Sequence, residues 1–498
     1  MKNLKGKYIY LYSFFLLMFG LLIFRYFQVQ VLMKDTDFEE LLKRFSDIHY
    51  ITLPGWRGFI YTSDGIPLAL TVDNYIYYAV TNRLSDEEKR IFAQNFAPLF
   101  NSTESELLHK LQTKRGYLKI FESPERSLVK EFYRLRRKLW KEELRYLKEG
   151  LGKRLIDSEK INRLCRSNPS NPKLIKACQI NDVLYWTGVN KANKRLYPQG
   201  RFLANVVGFT SSSGEGRGGI EQFANNFLYA GPVKIPYEYG PLKVRSKGIY
   251  GLRLVASGVY DKLKSNLTAD VYLTVDYTIQ AILEEIKEKI VRRWNPKKVA
   301  IVLMDAYTGK VLGLAVYPDF DPNKPFKNWQ EYRNSRNIAY TDVFEMGSVI
   351  KPFFVGLALY KGKIKPSDKV YIGNGRIRIG KHTVRDAEHL GRRYLTPREV
   401  LIYSSNVGTV QIAKKLSEDD ENWLINLLGW NKKIVPFPGA ARGLIPDLHL
   451  PANRLYIAFG QGLALTPLHL VSSYAALLTG YAPVPQFVEK VVREDGKV

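Results

Sequence analysis

Ser348 and Lys351 lie three residues apart in the segment FEMGSVIKP, residues 344–352. If a helix begins there, the two side chains share one helical face, because positions i and i+3 are neighbours on a helix surface. We therefore expect the lysine amine to lie within hydrogen-bond reach of the serine hydroxyl. A serine hydroxyl is a weak nucleophile until a base removes its proton, and a lysine with a lowered pKa can be that base. The pair predicts nucleophilic catalysis by Ser348.

The Ser-x-x-Lys spacing alone is not specific. The same spacing occurs twice more, at Ser127/Lys130 and at Ser170/Lys173. A second pattern, Ser404-x-Asn406, follows the first along the chain and adds a hydroxyl and an amide. Ser404 could relay a proton, and Asn406 could hold Lys351 and a substrate carbonyl. The order and spacing of the two patterns distinguish Ser348 from the other two serines.

The elements that would position these residues are a helix, a strand hairpin and a second helix. Asp276 can cap a helix with apolar residues at helical spacing, and residues 299–305 and 310–317 read as two strands joined by a turn. A helix followed by an antiparallel hairpin predicts a sheet with helices packed on it. Ser348 follows this hairpin, and residues 349–360 continue as an apolar helix.

The first half of the chain differs from the second in its predicted secondary structure. Residues 57–69 predict two short strands joined at an Asp-Gly turn, and residues 84–182 read as mainly helical. Residues 127–149 predict a basic amphipathic helix whose charges either face solvent or contact a membrane surface or a partner. Residues 208–221 are rich in glycine and serine and predict a loop, but no Gly-Lys-Ser/Thr box follows, so we expect no nucleotide site.

The charge balance is strongly basic. The 498 residues carry 75 Lys and Arg against 48 Asp and Glu, a net charge of +27. Such a surface favours anionic partners, which include nucleic acid, acidic phospholipid and carboxylate-bearing polymers. A lysine-rich surface suited to heat is the alternative. We expect no nucleic-acid partner, because no zinc-finger or RNA-binding signature occurs.

Residues 8–33 predict a membrane anchor. Residues 8–24 carry no charge and the apolar character resumes after Arg25, which suffices for one membrane-spanning helix. Three lysines precede the segment, so we expect the amino terminus in the cytoplasm and the rest of the chain outside. A cleaved signal peptide is the alternative, although no A-x-A site follows. Residues 35–50 predict a helical stalk.

Only two cysteines occur, Cys165 and Cys178. On the outer side of a membrane they could form a disulfide, and two free thiols are the alternative. Neither cysteine has a histidine partner nearby, so we expect no thiol catalysis and no metal site there. No cofactor is predicted.

Three segments together resemble the transpeptidase domain of class B penicillin-binding proteins, namely FEMGSVIKP, YSSNVG and AFGQGLALTPLHL. The stretch RNIAYTDVFEMGSVIKP is most similar to the division-specific FtsI type, and RGFIYTSDGIPLA and GEGRGGIE resemble the pedestal of that family. The resemblance implies a peptidoglycan D,D-transpeptidase. Stem peptides ending in D-Ala-D-Ala and β-lactams would acylate Ser348, with Lys351, Ser404 and Asn406 as the other catalytic residues.

The resemblance also implies an α+β fold in four parts. These are a cytoplasmic tail (1–7), a transmembrane anchor (8–33), an elongated pedestal (34–245) with a basic helical insertion (84–182), and a transpeptidase domain (246–498) with helices around an antiparallel sheet. It implies a place in the bacterial cytoplasmic (inner) membrane, with the catalytic domain on the outer side. The implied partners are an FtsW-type glycan polymerase and other division proteins. We expect Arg57 and Glu221 to pair across the pedestal, and His382, Asp386 and His389 to be structural.

The sequence departs from the family pattern at several positions. Met346 replaces a proline, Thr62-Ser63 replace an acidic and a basic residue, and the third catalytic box, Lys-Thr/Ser-Gly, is absent. We therefore expect the transpeptidase domain to lack its last strands and helix. A short natural chain, an incomplete sequence and a second polypeptide that supplies the strand stay open. Two other functions also stay open, a transpeptidase of sidewall elongation and a non-catalytic scaffold that activates a glycan polymerase.

Overall fold

The computed structural model describes residues 17–21, 48–53, 55–152, 158–167, 169–238, 268–324, 326–380 and 382–493. Most of the predicted anchor lies outside these ranges, and residues 17–21 are helical and exposed. Within the described ranges, no helix is both long enough and apolar enough to cross a bilayer. Most of the predicted stalk also lies outside them, but residues 48–50 belong to a strand and not to a helix.

The described helices lie both in the insertion predicted to be mainly helical and in the predicted catalytic region. They are α1 Asp86–Phe96, α2 Glu104–Thr113, α3 Arg126–Leu151, α4 Ser158–Arg166, α5 Pro172–Trp186, α6 Ala204–Val207, α7 Gly219–Phe223, α8 Asn225–Leu228, α9 Tyr277–Trp294, α10 Trp329–Asn334, α11 Ile338–Thr341, α12 Lys351–Tyr360, α13 Pro397–Ile402, α14 Asn406–Ala413, α15 Glu418–Leu427, α16 Pro451–Ile457 and α17 Pro467–Thr479. Short 3₁₀ helices cover Thr81–Arg83, Ala97–Phe100 and Gly347–Ile350.

The described strands are mostly short. They are β1 Ile48–Leu53, β2 Trp56–Arg57, β3 Ile60–Tyr61, β4 Pro67–Val80, β5 Tyr117–Ser123, β6 Thr187–Leu196, β7 Tyr229–Ala230, β8 Val233–Glu238, β9 Ala269–Leu273, β10 Val299–Met304, β11 Val311–Tyr317, β12 Phe344–Glu345, β13 Val370–Tyr371, β14 Arg376–Ile379, β15 His382–Arg385, β16 Tyr394–Leu395, β17 Ala464–Leu465 and β18 Val488–Arg493.

The largest sheet joins residues from both sides of the predicted boundary at residue 245. Its strand order is β18-β9-β3-β4-β5, and β6 pairs with β4. β3 runs parallel to β9 and antiparallel to β4. The turn between β3 and β4 contains Gly65 with a φ of +84°, as the Asp-Gly pair predicts. The pedestal and the catalytic region therefore share one sheet.

The insertion packs its helices around an aromatic core. α3 confirms the predicted basic amphipathic helix, and its buried side chains are Val129, Phe132, Glu143, Leu139 and Leu147. The strand β5 lies within the segment predicted to be mainly helical and pairs with β4. A disulfide joins Cys165 of α4 to Cys178 of α5. The structure thus contains the disulfide and not the free thiols.

Arg57 and Glu221 form the predicted ion pair in the pedestal. Arg57 Nε donates to one carboxylate oxygen of Glu221, and Arg195 Nε donates to the other at 2.8 Å. The Tyr197 hydroxyl also donates to Glu221, at 3.2 Å. Glu221 is fully buried, so removal of its partners would leave a costly buried charge. The network is structural and fixes α7 against β2 and β6.

The predicted hairpin and its preceding helix are confirmed. Asp276 Oδ1 accepts a hydrogen bond from the Ile279 N–H at 2.9 Å and caps α9. The buried amide of Gln280 donates to the Leu314 carbonyl at 2.9 Å and accepts from the Leu314 N–H at 2.7 Å, which ties α9 to β11. In the described part of the chain, β10 pairs with β11 alone.

The helix α12 lies at the centre of a second apolar core. Phe353, Phe354 and Leu357 are buried there, and the Phe353 ring contacts Trp430 edge to face. A helix that is apolar around most of its circumference is stable only when other elements surround it. α12 is therefore a rigid support for the residues at its amino-terminal end, which are Ser348 and Lys351.

Candidate active site

Ser348 lies on an exposed turn that leads into α12. The 3₁₀ turn Gly347–Ile350 begins one residue after the end of β12, and Gly347 has a φ of +61°. Ile350 and Lys351 are buried, whereas Ser348 is exposed. The turn thus anchors itself in the core and leaves the serine open to a substrate.

Lys351 is the buried partner of this exposed serine. Its side chain is 1% exposed, and its Nζ donates to the backbone carbonyl of Ser404 and, at 3.0 Å, to the Ser404 hydroxyl. Burial lowers the pKa of Lys351 to about 8, and the negative charge of Asp386 opposes this shift. Because burial disfavours the charged form of an amine, about one tenth of Lys351 is neutral at pH 7. The lysine can therefore accept a proton.

The hydrogen bond expected between Ser348 and Lys351 is not formed in the described part of the chain. Lys351 Nζ binds Ser404 instead, and Ser348 lies one helical turn before the lysine. Hydrogen bonds between catalytic groups are commonly long without a ligand and tighten when substrate binds. The structure brings Lys351 and Ser404 together, and the role of Ser348 as nucleophile stays a prediction.

Ser404 adopts an uncommon backbone conformation between α13 and α14. Its φ is +50°, in the left-handed region that costs a residue other than glycine about 1 kcal/mol or more. This conformation directs both the carbonyl and the hydroxyl of Ser404 to Lys351. Ser404 is therefore positioned to pass a proton to or from the lysine.

Asn406 makes a different contact from the one expected. Its Nδ2 donates to the Arg385 carbonyl at 2.8 Å, and among the described contacts it does not hold Lys351. This hydrogen bond fastens the start of α14 to the end of β15. The amide of Asn406 thus positions the loop, while its predicted contact with a substrate carbonyl stays a prediction.

Asp386 holds the loop that contains Ser404. Its carboxylate accepts from the Ser405 hydroxyl at 2.9 Å and from the Val407 N–H at 2.9 Å. The expectation of a structural role is confirmed, but sequence reasoning missed that Asp386 also raises the pKa of Lys351 against burial. His382 and His389 are exposed.

The segment FGQG, residues 459–462, contacts the turn that contains Ser348. The Gly347 N–H donates to the Gly460 carbonyl at 3.2 Å, and the Gly462 N–H donates to Glu345 Oε1 at 2.8 Å. A Cβ atom at Gly460 would lie 1.9 Å from the Gly347 carbonyl oxygen, and Gly460 has a φ of +85°. A side chain cannot fit there. Sequence reasoning used this segment only as a family feature and missed its contact with the Ser348 turn.

The arrangement provides three parts of an acyl-transfer site. Ser348 is an accessible hydroxyl, Lys351 is an amine that is partly neutral near pH 7, and Ser404 hydrogen-bonds Lys351. The N–H of Ser348 at the start of the helical turn can donate to a developing oxyanion. The described residues contain no Lys-Thr/Ser-Gly box, in agreement with its absence from the sequence.

The sequence models of two domains match this chain in order. The penicillin-binding protein dimerisation domain matches residues 52–226, and the penicillin binding protein transpeptidase domain matches residues 299–498. The second match contains every residue of the candidate site.

Named relatives align with a large part of the chain. The probable peptidoglycan D,D-transpeptidase PenA of Neisseria gonorrhoeae is 31% identical over 340 residues, which cover 66% of this chain and 54% of the relative. The peptidoglycan D,D-transpeptidase FtsI of Buchnera aphidicola is 27% identical over 294 residues, which cover 57% of this chain and 47% of the relative. The chain spans about half the length of these two relatives.

A solved structure shows the same fold along most of the chain. Penicillin Binding Protein 2X of Streptococcus thermophilus matches with a TM-score of 0.63 at 16% identity, covering 90% of this chain and 62% of the other. At this identity the match reports on the fold alone. With both domains matched in order, FtsI among its relatives and the fold shared, the chain belongs to the class B penicillin-binding proteins.

Proposed function

We propose that the chain is a serine D,D-transpeptidase that cross-links peptidoglycan during cell division. The observation that carries the proposal is the state of Lys351, which lies one helical turn after Ser348. Lys351 is 1% exposed, burial lowers its pKa to about 8, and its amine hydrogen-bonds Ser404. Relatives named as peptidoglycan D,D-transpeptidases support the substrate class.

The first half of the reaction acylates Ser348. Neutral Lys351 accepts the Ser348 proton as the serine oxygen attacks the carbonyl between the two terminal D-Ala residues of a stem peptide. The C–O bond forms, and the Ser348 N–H donates to the oxyanion. When the C–N bond breaks, the proton returns through Lys351 and Ser404 to the leaving amine. Free D-Ala departs, and an ester on Ser348 remains.

The second half transfers the acyl group. An amine from a neighbouring strand attacks the ester carbonyl, its proton passes to Lys351, and the ester C–O bond breaks. The proton then returns to the Ser348 oxygen, and a new amide joins the two strands. β-Lactams acylate the same oxygen by opening their ring, which provides a label for the reaction.

The cellular setting belongs to the same proposal. The uncharged segment within residues 8–33 supports a membrane anchor that places the catalytic region outside the cytoplasm. The disulfide between Cys165 and Cys178 suits an oxidising compartment. We further propose septation as the cellular role and an FtsW-type glycan polymerase as the partner, as the family resemblance of the sequence implies.

The test is covalent labelling with a fluorescent penicillin. We expect the wild-type chain to be labelled, Ser348→Ala to be unlabelled, and Ser127→Ala to be labelled like wild type. Ser127 is the matched control because it has the same Ser-x-x-Lys spacing but lies on the exposed surface of α3. An unlabelled wild type whose full length has been verified, or a labelled Ser348→Ala, would contradict the proposal.

Depletion of the protein in cells tests its biological role. Filaments support septation, because cells that cannot cross-link a septum continue to elongate. Rounded cells would instead support sidewall elongation. A depletion phenotype that Ser348→Ala fully complements would support the scaffold function and contradict an essential catalytic role.

A further inference from the structure

The exposed face of α3 carries a row of positive charges. Each of these cations is exposed to solvent and lies three or four residues from another member of the set: Lys130, Arg134, Arg137, Lys138, Lys141, Arg145 and Lys148. At a rise of 1.5 Å per residue, the row is about 27 Å long. We call these seven residues the basic row.

Few carboxylates neutralise the basic row. Among the described residues, Arg134 pairs with Glu131 at 3.0 Å and Arg145 lies 3.9 Å from Glu149, while the other five cations form no ion pair. Like charges at these spacings repel one another on a helix. Exposed lysines on two other helices do have carboxylate partners, in the Lys89–Asp86 pair of α1 and the Lys289–Glu285 pair of α9. The row therefore accumulates charge at a cost to the stability of α3.

The apolar face of α3 is already occupied. Val129, Phe132, Leu139 and Leu147 are buried in the insertion, and no large apolar side chain of α3 is exposed. A helix that lies in a membrane surface inserts a free apolar face, and the centre of a protein interface is depleted of charge. The basic row matches neither, because its exposed side chains are mostly cationic and no large apolar side chain is exposed beside them. The basic row is instead suited to bind a linear, hydrated polyanion.

We propose that the basic row docks an uncross-linked peptidoglycan strand through the free carboxylates of its stem peptides. The inference rests on the proposed function, which supplies such a strand as substrate. Successive carboxylates along the strand contact successive cations along α3, so weak contacts add up through multivalency. The row lies on the insertion and the nucleophile on the catalytic region, so the row holds the strand and does no chemistry.

The experiment compares two variants of the full chain with the same change in charge. In the row variant, four unpaired cations become glutamine: Lys130→Gln, Arg137→Gln, Lys138→Gln and Lys141→Gln. In the control variant, four exposed lysines elsewhere become glutamine: Lys297→Gln, Lys365→Gln, Lys414→Gln and Lys415→Gln. Binding to soluble uncross-linked peptidoglycan strands is measured at several salt concentrations, with fluorescent penicillin labelling and thermal unfolding in parallel.

We expect the row variant to bind the strands about tenfold more weakly than wild type, with a smaller salt dependence. The control variant should bind within about twofold of wild type. Penicillin labelling should be unchanged in both variants. The unfolding temperature of the row variant should not fall, because the substitutions relieve repulsion within α3. Lower binding without lower stability separates docking from a structural role.

Equal binding by the row and control variants would overturn the inference. So would a row that binds vesicles of anionic phospholipid but not the strands, because the partner would then be a membrane. If no protein takes the penicillin label but the row variant still loses strand binding, the proposed function fails and the docking surface stands. If labelling is normal and the row variant still binds the strands like wild type, the docking surface alone fails.

Discussion

Lys287 and Lys351 are the two buried lysines in the described part of the chain, 2% and 1% exposed, but their surroundings differ. Lys287 lies on α9 among three carboxylates, with its Nζ 2.6 Å from Asp319, 2.7 Å from Glu284 and 3.3 Å from Glu288. Among the described contacts, Lys351 hydrogen-bonds the uncharged carbonyl and hydroxyl of Ser404 and no carboxylate. Both lysines are buried, but Lys287 contacts carboxylates and Lys351 contacts uncharged groups.

The countercharge decides the protonation state. Burial lowers the pKa of both lysines, but around Lys287 the hydrogen bonds and charges of Asp319 and Glu284 outweigh burial and raise the pKa above its ordinary value. At Lys351 only the charge of Asp386 opposes burial, and the pKa falls to about 8. Lys287 is a permanent cation that holds structure together. Lys351 can exchange a proton, which is what a general base requires.

The largest effect should come from Lys351→Met. The substitution keeps the volume but removes the base, so we expect acylation by penicillin to slow by about 10² to 10⁴-fold. The substitution removes the hydrogen bonds of Lys351 but also removes the cost of burying its amine. The free energy of unfolding should therefore fall by no more than about 1 kcal/mol. The rate of penicillin labelling measures the effect on acylation, and urea unfolding measures the effect on stability. Near-normal acylation would refute the role of Lys351 as base.

Lys287→Met should show the opposite pattern. Removal of the cation leaves the negative charges of Glu284 and Asp319 close together with less positive charge to balance them. Their side chains are 18% and 10% exposed. We expect a loss of about 2 kcal/mol of unfolding free energy, less than for a fully buried pair because these carboxylates retain some water and Arg201 also pairs with Asp319. The acylation rate of the folded protein should not change. A loss of acylation at full stability would contradict the distinction between the two lysines.

Asp386→Asn should have a small effect with an informative direction. The asparagine can still accept from the Val407 N–H, so the Ser404 loop should persist. The negative charge that raises the pKa of Lys351 is gone, so this pKa should fall further below 8. More of the amine is then neutral at pH 7, and the acidic limb of the acylation profile should move to lower pH. A limb that stays in place, or moves to higher pH, would show that Asp386 has no electrostatic role.

Local patterns predicted much of the fold. The Asp276 cap, the Asp-Gly turn after β3 and the spacing of apolar residues in α3 each depend on neighbours within a few positions, and the structure contains all three. The strand β5 was missed because a seven-residue strand inside a helical segment depends on pairing with β4. The pairing of β18 with β9 was missed for the same reason, because those residues are far apart in sequence.

The site was predictable in its residue types but not in its contacts. The sequence indicated Ser348, Lys351 and Ser404, yet the hydrogen bond from Lys351 to Ser404 depends on the left-handed conformation of Ser404. The contact of Asn406 with Arg385, in place of Lys351, depends on the β14–β15 hairpin, which the sequence did not reveal. Asp386 carries no pattern of its own, and its electrostatic role emerges only from three-dimensional proximity.

The pH dependence of acylation tests most directly whether Lys351 is the base. The reactive form is the neutral amine, whose fraction grows as pH rises through the pKa of about 8. We expect the rate of penicillin acylation to rise about tenfold per pH unit below 8 and to level off above it, and the residual rate of Lys351→Met to lack this rise. An inflection near 10, the ordinary range of a lysine, or a rate independent of pH would contradict a lysine base activated by burial.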